Sequence, residues 1–132
     1  MIPFRLNPKS GVPVYEQAVY AATRAIVSGQ MRVGDAFPSV RALSRELKIN
    51  PTTAHKVITQ LLNDGLLESR PGIGTVVAKL PDSTSRERTE LLNGKIEELV
   101  VEAKRLLIDV DEVVGAVEKH WQRLSKREET YK

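Results

Sequence analysis

The chain has 132 residues, 41% hydrophobic and 28% charged, with a net charge of +3, a balance too apolar for a disordered chain and too evenly charged for a membrane protein. It contains no cysteine, which excludes a disulfide framework, a thiol nucleophile and a thiolate metal site. No apolar run approaches a membrane span, and the stretch from Met1 to Pro8 lacks the features of an export signal, so the cytoplasm is the expected location.

Taken in chain order, the first signal is a helix over Pro13 to Ser28. Proline suits a first-turn position, Val14, Ala18, Ala22, Ala25 and Ile26 form one apolar stripe, and Gly29 ends the helix. Gln30 to Pro38 contains Gly34-Asp35 and a proline and reads as a connecting loop. Ser39 offers an N-cap for a short helix to Leu47, with Val40, Leu43 and Leu47 facing inward, and Lys48-Ile49 make a tight turn.

The next helix opens with Asn50 as N-cap and Pro51 at its first position and closes at Gly65. Advancing about 100° per residue places Ala54, Val57, Ile58, Leu61 and Leu62 on one side. Opposite lie Thr52, His55, Lys56, Thr59 and Asn63, a face without a carboxylate that can lie against phosphates without repulsion. Leu66 to Arg70 and Thr75 to Lys79 are short β-type runs joined by Pro71-Gly72-Ile73-Gly74, a hairpin with a glycine-rich tip. Phe4 to Leu6 is a candidate further strand. The fold class is therefore mainly α with a small β-hairpin, an α+β arrangement. The order helix, helix, helix, hairpin matches a winged helix-turn-helix, whose second motif helix enters the major groove.

Pro81 to Ser85 reads as a polar linker. Beyond it Leu92, Ile96, Leu99, Ala103 and Leu106 recur at spacings of four and three, the mark of a long amphipathic helix. Val110, Val114, Val117, Trp121 and Leu124 repeat the pattern after an Asp109-x-x-Glu112 capping signal. Two helices alone cannot enclose a core. Their shared stripe, with Trp121 buried on it, needs a partner, either the first domain or a second copy of the chain; the second copy is the favoured expectation, because C2 dimers are the commonest assembly and paired half-sites reward two-fold symmetry. The expected domains are a winged helix-turn-helix over residues 1–80, a linker over 81–85 and a dimerising helical hairpin over 86–132.

Charge distribution agrees with this division of labour. Residues 1–80 carry ten Lys/Arg against five Asp/Glu, and residues 81–132 carry ten against twelve. The first part is thus the basic one and the candidate nucleic-acid binder.

Six stretches within residues 13 to 78 sharpen the reading. They are Pro13-Val14-Tyr15-Glu16-Gln17, Ser28-Gly29-Gln30-Met31 with Gly34-Asp35, Pro38-Ser39-Val40-Arg41-Ala42-Leu43, Asn50-Pro51-Thr52-Thr53, Asp64-Gly65-Leu66-Leu67-Glu68, and Gly72-Ile73-Gly74-Thr75-Val76-Val77. In this order and spacing they resemble the GntR family of bacterial winged-helix regulators. The short two-helix tail is similar to the YtrA-like subfamily. The resemblance implies a transcriptional regulator, usually a repressor, that binds a palindromic double-stranded DNA operator as a homodimer. It implies DNA contact by Arg41, Thr52, Thr53 and His55 and by the wing residues Gly72 and Gly74; Ser39, Lys56, Thr59, Arg70 and Thr75 are further candidates from their places on the same helix face, cap and hairpin. Leu92, Ile96, Leu99, Ala103, Leu106, Val114, Val117 and Trp121 are the expected dimerisation residues. Lys56 stands where the subfamily often has arginine and Ile58 where it often has tyrosine. Lysine keeps the charge but loses the planar fork suited to guanine, so phosphate contact and base contact both stay open.

Blander readings stand beside these. Arg41 is equally a solvated arginine or a partner of Glu46, and Arg70 an edge-strand decoration. Gly72 and Gly74 alone say only that there is a turn. Asp109, Asp111 and Glu112 are explained by a cap and a solvated face, and His120 has no ligand-spaced partners, so no metal is assigned. No phosphate loop, nucleophile elbow or convergent acid and base appears, which argues against an enzyme and calls for no cofactor. No small-molecule effector is specified. The alternative function is a protein-docking module, with the tail binding another protein and DNA binding secondary.

Overall fold

Helix starts follow the capping chemistry of the sequence. In the computed structural model, which describes residues 2–125, α1 runs Val14–Val27, α2 Val40–Leu47 and α3 Pro51–Asn63. Ser39 Oγ accepts from the Ala42 N–H at 3.1 Å and Asn50 Oδ1 from the Thr52 N–H at 2.7 Å. Each cap satisfies a donor that the helix itself leaves without a partner. Pro13 is the N-cap of α1 rather than a first-turn residue, its carbonyl accepting from the Gln17 N–H at 3.0 Å. The chain leaves α1 and α3 through Gly29 and Gly65, at φ 84 and 76, and leaves α2 through Lys48 at φ 56. Lysine lacks glycine's freedom there. Ser44 holds the turn instead, its carbonyl accepting from the Ile49 N–H at 3.0 Å while its hydroxyl donates to the Ile49 carbonyl at 2.6 Å.

The chain divides into two units, one reaching to Leu80 and the other spanning Pro81–Arg123. In the first, Ala18, Ala22 and Ala25 of α1 are buried with Leu43 of α2 and with Ala54, Val57 and Leu61 of α3. Alanines let helix axes approach closely, and α3 packs against both other helices. Val14, expected on the buried stripe, is exposed in the first turn of α1.

The hairpin pairs β1 (Leu67–Arg70) with β2 (Gly74–Val77) in antiparallel register, Leu67 opposite Val77 and Arg70 opposite Gly74. A further partner for β2 comes from an unexpected place. The loop at Gly34–Phe37 runs alongside it, with Gly34 N–H on the Val77 carbonyl at 2.8 Å, Val77 N–H on the Asp35 carbonyl at 2.9 Å and Phe37 N–H on the Thr75 carbonyl at 2.8 Å. The Phe4–Leu6 segment, expected as a strand, forms no ladder. Phe4 and Leu6 pack their side chains against the core instead.

In the second unit helix begins at Ser85, the last residue of the expected linker. The Thr84 hydroxyl accepts from the Glu87 N–H at 3.1 Å and the Glu87 carboxylate from the Thr84 N–H at 2.8 Å, a reciprocal box that extends the helix backward. The long helix is not uniform. α4 (Ser85–Thr89) passes into a π-helical stretch, Glu90–Lys95, before α5 (Ile96–Arg105). Asn93-Gly94, both weak helix formers, lie in that widened turn. α5 ends through Leu107 at φ 59, with Leu107 N–H on the Lys104 carbonyl at 3.1 Å and Ile108 N–H on the Ala103 carbonyl at 2.9 Å, a Schellman closure. Asp109 Oδ2 then accepts from the Asp111 N–H at 3.2 Å and starts α6 (Val110–Arg123). Ala103 is the buried hydrophobic residue of this unit among the described residues. No helix of the described residues is long and apolar enough to cross a membrane.

Leu61→Ala, which empties a fully buried site on α3, should lower unfolding stability by about 3 kcal/mol in urea titration. Leu107→Gly should raise it by about 0.5 kcal/mol, because relief of the left-handed strain exceeds glycine's extra freedom in the unfolded chain.

Candidate nucleic-acid interface

The outer side of α3 is the one side the core leaves open. Thr52, His55, Lys56 and Thr59 are exposed along it and Thr53 is half-buried at its start. Among the described residues, none of them enters an ion pair. The side chains of this outer face therefore project into solvent, and its lysine has no carboxylate to neutralise it among the described residues. Ile58, where the subfamily often has tyrosine, is buried and belongs to the packing.

Arg41 is the second residue of α2 and is exposed. The expected local partner is engaged elsewhere, since Glu46 Oε1 accepts from the Ile2 N–H at 3.0 Å. A cation at a helix N-terminus gains nothing from the helix dipole, so an external anion gives Arg41's position a reason. Ser39 uses its hydroxyl oxygen as the cap and retains its proton for a donor bond outward. Because α2 and β1 both pack against α3, the Arg41 end of α2 and the root of the hairpin belong to one framework with the open face.

The hairpin places Gly72 and Gly74 at its tip with φ 78 and 107, values an L side chain adopts only under strain. Thr75 is half-buried, and its carbonyl ties the wing to Phe37. Arg70 Nε lies 2.9 Å from Glu68 Oε2 with both side chains nearly half exposed. Its charge is thus partly answered within the strand.

Two residues that sequence reasoning passed over border the same face. Tyr15 of α1 reaches across to donate its hydroxyl to Gln60 Oε1 at 3.0 Å, and Gln60 Nε2 donates to Asp64 Oδ1 at 2.8 Å. With His55, Lys56, Thr59 and Asn63 they line a shallow recess of about 270 Å³. The relay fixes the Gln60 amide, whose position at the edge of the face depends on a tyrosine 45 residues away.

The tail residues behave differently. Leu92, Ile96, Leu99, Leu106, Val114 and Val117 are exposed and Ala103 is buried. Trp121, expected to be buried, is 74% exposed in the single chain. Leu99, Ala103, Leu106, Val113 and Val117 instead line an open groove of about 480 Å³, with Glu102, Glu112 and His120 also on its walls. The Arg105 guanidinium, with Nε 3.1 Å from Glu102 Oε1, holds the Glu102 carboxyl below the usual carboxylate range. Both side chains are more than half exposed, where screening leaves such contacts little weight. Among the described residues no three His, Asp or Glu side chains gather as a metal site.

Residues 14–77 match the family model described as bacterial regulatory proteins, gntR family. The HTH-type transcriptional repressor YtrA of Bacillus subtilis is 31% identical over 105 residues, which is 80% of this chain and 76% of that protein. Among solved structures, a GntR family transcriptional regulator from Listeria monocytogenes superposes with a TM-score of 0.59 at 26% identity, covering 86% of this chain and 98% of its own. A transcriptional antiterminator from the same species superposes with a TM-score of 0.80 at 24% identity, covering 93% and 92%, a likeness of fold.

The wing's geometry can be tested without a ligand. Gly74→Ala should cost about 1–2 kcal/mol, because φ 107 lies outside the region any L residue favours. Amide hydrogen exchange at Ser69 to Val76 should accelerate in that variant.

Proposed function

The chain belongs to the GntR family of bacterial regulatory proteins and is a DNA-binding transcriptional regulator, and on that premise we propose that it is a repressor binding a palindromic operator as a homodimer in the cytoplasm. The observation that carries the reading is the outer face of α3. Thr52, His55, Lys56 and Thr59 stand exposed on a helix whose opposite side is fully committed to the core. Short hydroxyls let a helix sit deep in the major groove, while a histidine and a lysine donate to base edges and phosphates. In this reading Arg41 holds the backbone at one end of α3, and Gly72 to Thr75 approach the neighbouring minor groove at the other.

The homodimer rests on the tail. Exposed leucines, valines and a tryptophan surrounding an apolar groove exceed the scattered apolar contacts of an ordinary surface. A second copy supplies the same face by symmetry and places two α3 helices on two half-sites. A docking protein would cover the face equally well, and oligomeric state separates the two: dimerisation requires a stable dimer of the isolated chain.

Footprinting on the DNA upstream of the chain's own gene, with a salt titration, tests the whole reading. A symmetric protected site is expected. Arg41→Ala should weaken binding to every sequence about tenfold and lower the salt slope by about one. Thr52→Ala or His55→Ala should change the preferred sequence instead. Unchanged salt-dependent affinity in Arg41→Ala would remove α2 from the interface. Leu99→Glu should convert the dimer to monomer in sedimentation and abolish protection of the paired half-sites; a fully dimeric variant with full affinity would overturn the tail's role.

A further inference from the structure

Between its two glycines the hairpin tip carries one large apolar side chain, Ile73, 66% exposed. The backbone that presents it is a tight turn. Arg70-Pro71-Gly72-Ile73 is a turn closed by the Ile73 N–H on the Arg70 carbonyl at 3.1 Å. Proline presets the second position and Gly72, at φ 78, supplies the left-handed third, the requirements of a type II turn. Strand pairing resumes at Arg70 and Gly74, so Pro71, Gly72 and Ile73 are the entire loop. Nothing lies within 4 Å of where a side chain on Gly72 or Gly74 would stand. The tip is therefore bare backbone on either side of a single stiff, β-branched knob.

Folding gives this residue no reason to be isoleucine. It lies outside the hydrophobic core cluster to which Leu67 and Val77 of the same hairpin belong, and turn positions ordinarily carry glycine or a short polar side chain. The nearest cation, Arg70, is answered by Glu68, so the tip itself is apolar rather than charged.

Resting on the DNA-binding reading above, we infer that Ile73 is a specificity-determining residue, an apolar wedge that packs on the minor-groove floor beside the base pairs read by α3 and discriminates against G·C pairs there. The groove is about 6 Å wide, and its floor offers only acceptors at A·T and T·A pairs, whereas G·C adds the protruding guanine N2 amino donor. Isoleucine pressed on that donor strips it of water without replacing the hydrogen bond. A tip flanked by side chains would be too broad to bring the wedge down. Isoleucine is among the apolar side chains that minor-groove binders bring into the groove, some of them as far as between base steps.

The test uses a duplex selected by the wild-type chain from a random library. Replacing adenine by 2,6-diaminopurine adds the N2 amino group, and replacing guanine by inosine removes it; both leave the major-groove edge unchanged. Stepping these bases through the flanks of each half-site, the wild type should lose about tenfold in affinity for diaminopurine at the wing-facing pairs. Ile73→Ser should bind the unmodified duplex about fivefold more weakly and respond to neither replacement. Its exposed position keeps the fold intact, checked by an unchanged melting temperature. The inference is overturned if wild type and variant respond alike to the amino group, or if the variant's affinity is unchanged. It is also overturned if Ile73→Ser alters oligomeric state and leaves discrimination among duplexes untouched, since Ile73 would then contact protein. Failure to select any duplex strikes the DNA-binding reading itself and is distinct from all of these outcomes.

Discussion

Where α1, α2 and α3 meet, Leu43, Val57 and Leu61 are fully buried against Ala18, Ala22 and Ala54. Burying each leucine or valine side chain contributes roughly 1.5–3 kcal/mol, and the alanines let the helices come close enough for that burial to be complete. α3 depends on this junction more than the other helices do. Its outer face carries threonines, a histidine and a lysine, none of which enters an ion pair among the described residues. The stability of a helix of 13 residues must then come almost wholly from one side and from the Asn50 cap.

That one-sidedness explains why the turn before α3 is tied so firmly. Lys48 accepts a left-handed conformation that a lysine does not favour, and Ser44 makes two bonds to Ile49 across it. The turn sets the angle between α2 and α3, and with it the distance from Arg41 to the face of α3. A glycine at residue 48 would relax the backbone but loosen the unfolded chain.

Much of the first unit was legible in the sequence because its signals are local. Asn50-Pro51, Ser39 and Gly65 act within one helical turn, and stepping around α3 separates Val57 and Leu61 from Thr52 and Lys56 without reference to any other element. Legibility fails where a contact is distant. The Tyr15–Gln60 bond spans 45 residues, and the pairing of Asp35 and Phe37 with β2 leaves no periodic trace in a loop that reads as a connection. Phe4–Leu6 misleads for the converse reason, since two apolar residues around an arginine look like a strand whether they pair or simply pack. The helical start at Ser85 was hidden because Thr84 and Glu87, separated by a capping-box interval, lie in a stretch whose composition reads as linker.

The tail presents a different balance. Among its described residues Ala103 alone is buried, too little to offset the conformational entropy lost in ordering α4 to α6. Helix propensity and exposed pairs such as Arg86–Glu90 and Arg105–Glu102 add only tenths of a kcal/mol each. In the homodimer proposed above, the missing stabilisation comes from covering the stripe of Ile96, Leu99, Leu106, Val114 and Val117, which is exposed in the single chain. Ordering the tail and joining two chains are then largely one event, so the tail's apparent stability rises with protein concentration. Operator affinity inherits that dependence, because each half-site contact gains from the other only while the tails hold the pair together. On this account the π-helical stretch at Glu90–Lys95 has a physical consequence. Its wider turn bonds the Ile96 N–H to the Leu91 carbonyl, so the phase of the apolar stripe changes between Leu91-Leu92 and Ile96-Leu99.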